Sequence, residues 1–166
     1  MIAALLVAAV IFLPLGFAAA GSTAVVGATV TVQNIQVGVT DGTVTYGTIA
    51  ANSSKSTIAA DLNDTQTATN NGNVAEDFNI MGQNSVDWQL SATAGSNKYV
   101  HMFCKTSCSS PPTNFTALSS TSYQSLATNV STPGGTQTFD LRITTPNPSL
   151  VFTQQSVDVT VQAVVH

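Results

Sequence analysis

Near the end of the chain Val157, Val159, Val161, Ala163 and Val165 fall on one phase and Asp158, Thr160 and Gln162 on the other. A period of two puts one side of a strand against a core and the other in water. Phe139, Leu141 and Ile143 alternate with Asp140, Arg142 and Thr144 in the same way, and Val86, Trp88, Leu90 and Ala92 alternate with Asp87, Gln89 and Ser91. Shorter strands are predicted over 43–49, 65–69, 74–80, 99–104 and 122–127. No convincing helical stripe occurs after residue 24. Turn signals separate the runs: Asp41-Gly42, Asn70-Asn71-Gly72, Ala94-Gly95-Ser96-Asn97, Pro111-Pro112, Pro133-Gly134-Gly135 and Pro146-Asn147-Pro148. Their spacing predicts an all-β protein, a single β-sandwich of eight or nine strands. The connections are too short for crossover helices, so the strands are expected to be antiparallel.

Residues 1–20 obey a different rule. The run MIAALLVAAVIFLPLGFAAA is broken only by Pro14 and Gly16, and no charge precedes Asp41. As a helix it would span about 30 Å, the thickness of a bilayer's hydrocarbon. Three readings stay open: a cleaved secretory signal with small residues at its end, a hydrophobic filament stem retained in the mature subunit, or a membrane anchor. Each of them exports the remainder of the chain. The chain therefore divides into a hydrophobic N-terminal segment (1–23), a possible donor strand (24–34) and a β-sandwich domain (35–166).

Between the first two parts and the third, the alternation slips. Ala28, Val30 and Val32 share a phase, but the next apolar set is Ile35, Val37 and Val39. A slip of one residue sends every later side chain to the opposite face. One explanation is a β-bulge or a strand that changes sheets. The other is two strands with separate tasks. Ala24, Val25, Val26, Ala28, Val30 and Val32 would then form an uncharged strand that completes the sheet of a second copy, and the chain's own fold would begin near Ile35.

Composition sharpens the setting. Only 12 residues are charged (Lys+Arg 4, Asp+Glu 8), 7% of the chain, where an ordinary soluble domain carries roughly 25%. Ser (17), Thr (24) and Asn (12) supply the polar surface instead. The net charge of -4 leaves no basic face to neutralise phosphates, so nucleic acid is not expected as a partner. Such a coat points to an extracellular or cell-surface protein.

Little in the chain offers catalysis. His101 and His166 are the only imidazoles, and neither lies in a metal-binding or nucleophile-activating pattern; His101 is expected to be a sheet residue. Asp61, Asp64, Glu76, Asp77 and Asp87 form no calcium-loop series, and Glu76-Asp77 reads as a solvated strand edge. Trp88 is expected in the core. No catalytic residue, metal site, cofactor or small-molecule substrate is expected. Cys104 and Cys108, the only cysteines, are predicted to form a disulfide. Asn52, Asn63, Asn114 and Asn129 each begin an N-x-[ST] pattern in or beside a predicted turn, and are candidates for glycosylation.

The phrases VTYGTIAANSS, DTQTATNNGNVAEDFNI, DWQLSATAG, YVHMF, GGTQTFDLRITTP and QQSVDVTVQA together resemble small exported β-sandwich proteins of prokaryotic surfaces. These are the TasA and camelysin-like fibre subunits and the archaeal bundling pilins. The resemblance covers residues 44 to 163 and implies a jelly-roll or immunoglobulin-like sandwich that polymerises through an N-terminal strand or stem. No active site carries over with it, because no zinc-binding motif is present. The expected function is a secreted, non-enzymatic structural protein whose partner is itself, with membrane contact during export. The alternative is a surface-anchored adhesin or carbohydrate-binding module, which should expose aromatics on one sheet face. The aromatics here number only 11.

Overall fold

The computed structural model describes residues 21–109 and 114–166, so the segment 1–20, with the signal, stem and anchor readings that fall on it, lies outside the described residues. The chain separates into two units, 1–31 and Val32–His166. The described part of the first unit, residues 21–31, contains no strand and no helix, and its side chains are exposed.

The second unit is all-β among the described residues. Its strands are β1 (Val37–Thr40), β2 (Ser54–Ser56), β3 (Gln66–Asn70), β4 (Glu76–Gly82), β5 (Gln89–Leu90), β6 (Lys98–Cys104), β7 (Thr116–Ala117), β8 (Gln124–Val130), β9 (Thr136–Thr144) and β10 (Val159–Val165). One sheet runs β1-β3-β9-β6-β5, with β2 also paired to β9 and β7 to β6; the other is β10-β4-β8. Strand β9 is the spine of the larger sheet. Its first half pairs with β3, its second half with β2, and residues 140–144 pair with β6.

The period-two pattern explains the layering. Phe139, Leu141 and Ile143 of β9 and Phe103 of β6 meet Phe78 and Ile80 of β4 and Leu126 and Val130 of β8 in one core between the sheets. At about 25 cal/mol per Å² of apolar surface, each such side chain contributes on the order of 2 kcal/mol. The disulfide between Cys104 and Cys108 is present at the end of β6.

Several expectations are corrected. Residues 43–49 form no strand, although Val44, Tyr46 and Ile49 still pack against the core; alternation marks burial, and backbone pairing needs a free neighbouring edge as well. The predicted strand 86–92 shrinks to Gln89–Leu90, and Val86 is exposed on a loop. That pair is parallel to β6, against the antiparallel expectation, because a tight turn closed by reciprocal main-chain bonds between Gly95 and Lys98 lets the chain re-enter beside β5. The short strands β2 and β7 carry no alternation long enough to read in sequence. Glu76 is fully buried rather than solvated.

Candidate self-association surface

The folded unit takes hold of the chain at the place where the alternation slips. Asn73 donates from Nδ2 to the Val32 carbonyl at 2.9 Å, accepts from the Asn34 N–H at 2.7 Å, and its own N–H donates to the Asn34 carbonyl at 3.0 Å. Two residues on, the Gln36 N–H donates to Glu76 Oε1 at 2.8 Å and the Gln36 carbonyl accepts from the Asn71 N–H at 2.8 Å. Gly72 is required in this clasp: a Cβ there would lie 2.5 Å from the Asn34 carbonyl oxygen. No strand runs through the slip. It marks the junction where the chain joins its own sheet, and β1 starts at Val37.

Upstream of the clasp the segment predicted as a donor strand carries no strand. Val25, Val26 and Val30 are 96%, 90% and 92% exposed, and Ala24 and Ala28 are exposed beside them. Val32, at the clasp itself, is exposed too. Uncharged branched residues at this spacing are strand formers, and strands that find no edge of their own chain are open to another.

The smaller sheet has two outer strands, and they differ. On β8 the ladder to β4 is broken by irregularities around Phe78, Lys105 Nζ reaches the Ser125 carbonyl at 3.4 Å, and Asn129 takes a left-handed backbone conformation. A bulge and a lysine are the devices by which edge strands avoid pairing. Strand β10, V-T-V-Q-A-V-V, has neither charge nor proline. It pairs with β4 in unbroken register from Val159↔Gly82 to Val165↔Glu76, and the His166 N–H donates to the Ala75 carbonyl in the next step of that register. Because the bonds of an antiparallel ladder fall on alternate residues, Val159, Val161, Ala163 and Val165 turn their own N–H and C=O groups away from β4. The side chains of Val157, Val159, Val161 and Ala163 are only half-buried against the core, and β1, the outer strand of the larger sheet, lies close by.

Near the Val157 backbone, just ahead of β10, the core holds a polar cluster. His101 is buried, with Nε2 3.0 Å from the Tyr46 hydroxyl and the Tyr99 ring beside it. Tyr99 in turn hydrogen-bonds through its hydroxyl to the Gln83 carbonyl. Burial pushes the imidazole down to about 4, against a smaller opposite pull from the Val157 backbone. Burial, with Asp64 next, raises Tyr46 above its ordinary range. Nδ1 of His101 and Nε1 of the half-buried Trp88 are buried without a partner among the described residues. His101 is thus the sheet residue that was expected, and Trp88 packs against the core.

Four of the acids considered for calcium already accept hydrogen bonds from protein groups. Asp61 accepts from the Ser56 N–H, Asp64 from Gln66, Asp87 from Gln155, and Asp77 from the Asn129 N–H and His166. The Asn129 amide, ahead of His166, holds the Asp77 carboxyl below its usual range. No group of three His, Cys, Asp or Glu side chains is brought together among the described residues. Sequence reasoning missed Asp140, which is buried on β9 and accepts from Thr57 Oγ1 at 2.9 Å and Thr65 Oγ1 at 2.7 Å. Its partners lie over 70 residues away, so no local signal pointed to it. The four N-x-[ST] asparagines are all exposed.

No protein-family model, curated protein or solved structure matches the chain.

Proposed function

We propose that the protein is a secreted, non-enzymatic structural subunit that self-associates into an extracellular filament on a single β-sandwich, with residues 24–32 of one copy added as a strand to the sheet of the next. The observation that carries this reading is a strand-length, uncharged apolar segment that is exposed and has no strand partner among the described residues. The outer edge of β10 supports it, since four residues there turn main-chain groups away from β4 that pair with no strand among the described residues, beside a half-buried apolar row. An added strand gains the main-chain bonds and covers that row with its alternate side chains. The disulfide fits an oxidising compartment.

The test is sedimentation with circular dichroism on two variants. Deletion of residues 1–31 should leave a folded β monomer that does not polymerise. Val30→Asp should do the same, because a lone carboxylate entering an apolar groove costs several kcal/mol. A Val30→Asp protein that loses its β signal would place the segment inside its own fold, and normal filaments from either variant would end the proposal.

A further inference from the structure

We propose that Asn52 and Asn129 are N-glycosylated on the folded protein, and that Asn63 and Asn114, which share the same three-residue pattern, are not. The inference rests on the local geometry of the four sites and is independent of how copies associate.

The pattern N-x-[ST] demands two things of a chain that is modified after folding. The asparagine Nδ2 must be free to take a sugar, and the hydroxyl two residues on must be available to the transferring enzyme, which is why the pattern ends in Ser or Thr. Asn52 meets both. It is exposed at a backbone φ of 55°, a left-handed conformation that Asn tolerates and that lifts the amide clear of the strands. Its main-chain N–H is held by the Pro146 carbonyl at 3.2 Å, while its side chain makes no hydrogen bond to the described residues. Ser54 is exposed, and among the described residues its hydroxyl bonds only to the hydroxyl of the half-buried Thr144, at 2.7 Å.

Asn129 meets both as well. Its φ is 52° and its N–H is anchored on Asp77 Oδ1 at 2.8 Å, which leaves the exposed side-chain amide free. Ser131 is exposed and its hydroxyl is unbonded among the described residues. Asn129 also lines a shallow groove of about 440 Å³ together with Lys105, Thr106, Thr128, Ser131 and Gln137. That polar rim offers the hydroxyls of a first sugar ring several partners.

The other two fail on one requirement each. Thr65 Oγ1, the hydroxyl of the Asn63 pattern, lies on an exposed residue but spends its proton in a charge-assisted bond to the buried Asp140 carboxylate at 2.7 Å, a stronger hold than the hydroxyl–hydroxyl contact of Ser54. Asn114 has its own Nδ2 committed to the Ser107 carbonyl at 2.7 Å, drawn against the disulfide loop.

The co-reactant is a sugar activated at its anomeric carbon by a lipid-linked phosphate. The new bond joins that carbon to Nδ2. The bond from the carbon to the phosphate oxygen breaks and its electron pair leaves with the phosphate, the amide gives up one proton, and nothing is oxidised or reduced. Protein purified from the cells that naturally produce it should be weighed intact and then mapped by peptide mass spectrometry under fragmentation that keeps sugars attached. Sugar is expected on the peptides bearing Asn52 and Asn129 alone. Asn52→Gln and Asn129→Gln should each remove one glycan mass, whereas Asn63→Gln and Asn114→Gln should change the mass only by the substitution. A bare Asn52 or Asn129, or sugar on Asn63 or Asn114, overturns the inference.

Discussion

Glu76 and His101 are polar side chains buried in the core, each with an atom left unpartnered among the described residues. Glu76 is fully buried, with one oxygen bonded to the Gln36 N–H and the other unpartnered among the described residues. It fastens the start of the fold at the cost of desolvation. His101 sits buried and neutral on β6, and its consequence is a pH dependence. The folded-state value of about 4 lies below the ordinary value near 6.5, so the unfolded chain takes up the proton first. The stability this adds is therefore complete above about pH 6.5 and is lost as pH falls toward 4. Between pH 7 and pH 5 the loss attributable to His101 should be about 2 kcal/mol. Denaturant unfolding at the two pH values measures it, and His101→Phe should remove most of the difference. An equal pH slope in both proteins would show that His101 is not its source.

Among the elements, β10 and β8 show how sheets of one fold can treat their edges in opposite ways. β8 is bulged and touched by Lys105; β10 is regular and uncharged. The direction of the β10 bonds makes a paired test. Val161 turns its N–H outward, so Val161→Pro removes no ladder bond to β4 and should leave a folded monomer that cannot extend. Gln162 spends its N–H on β4, so Gln162→Pro should cost about 3 kcal/mol or more and destabilise the monomer itself. Sedimentation reports the first property and circular dichroism melts the second. If Val161→Pro filaments form as readily as those of the parent, β10 is not the receiving edge.

Across the full chain the scarcity of charge is the governing fact. With 12 charged residues and none before Asp41, nothing in residues 24–32 or β10 offers an ion pair to another copy. Association through them should be insensitive to screening. Raising sodium chloride from about 0.01 M to 1 M shortens the Debye length from about 30 Å to 3 Å, which would dissolve a contact held by charges. Here the sedimenting mass should stay constant or rise slightly, as the net charge of -4 ceases to repel. Dissociation with salt, read in the ultracentrifuge, would point to a charged interface elsewhere on the surface.

The all-β class, the inward sets of β9 and β10, and the Cys104–Cys108 pair were legible in the chain alone, because each depends on period-two alternation or on residues four apart. So was the slip at Gln33-Asn34, which proved to be where the folded unit begins. Which alternating run finds a pairing partner was settled only by the assembled fold, and for that reason 43–49 packs without becoming a strand and β5 runs parallel to β6. Glu76 and Asp140 are buried by the same long-range assembly, since the partners that satisfy them come from Gln36, Thr57 and Thr65 across the fold. Likewise, four identical N-x-[ST] patterns became unequal only when folding committed the Thr65 hydroxyl and the Asn114 amide. Local pattern sets which face of a strand is apolar; edges, burial of charge and access to a side chain depend on what the rest of the chain brings beside it.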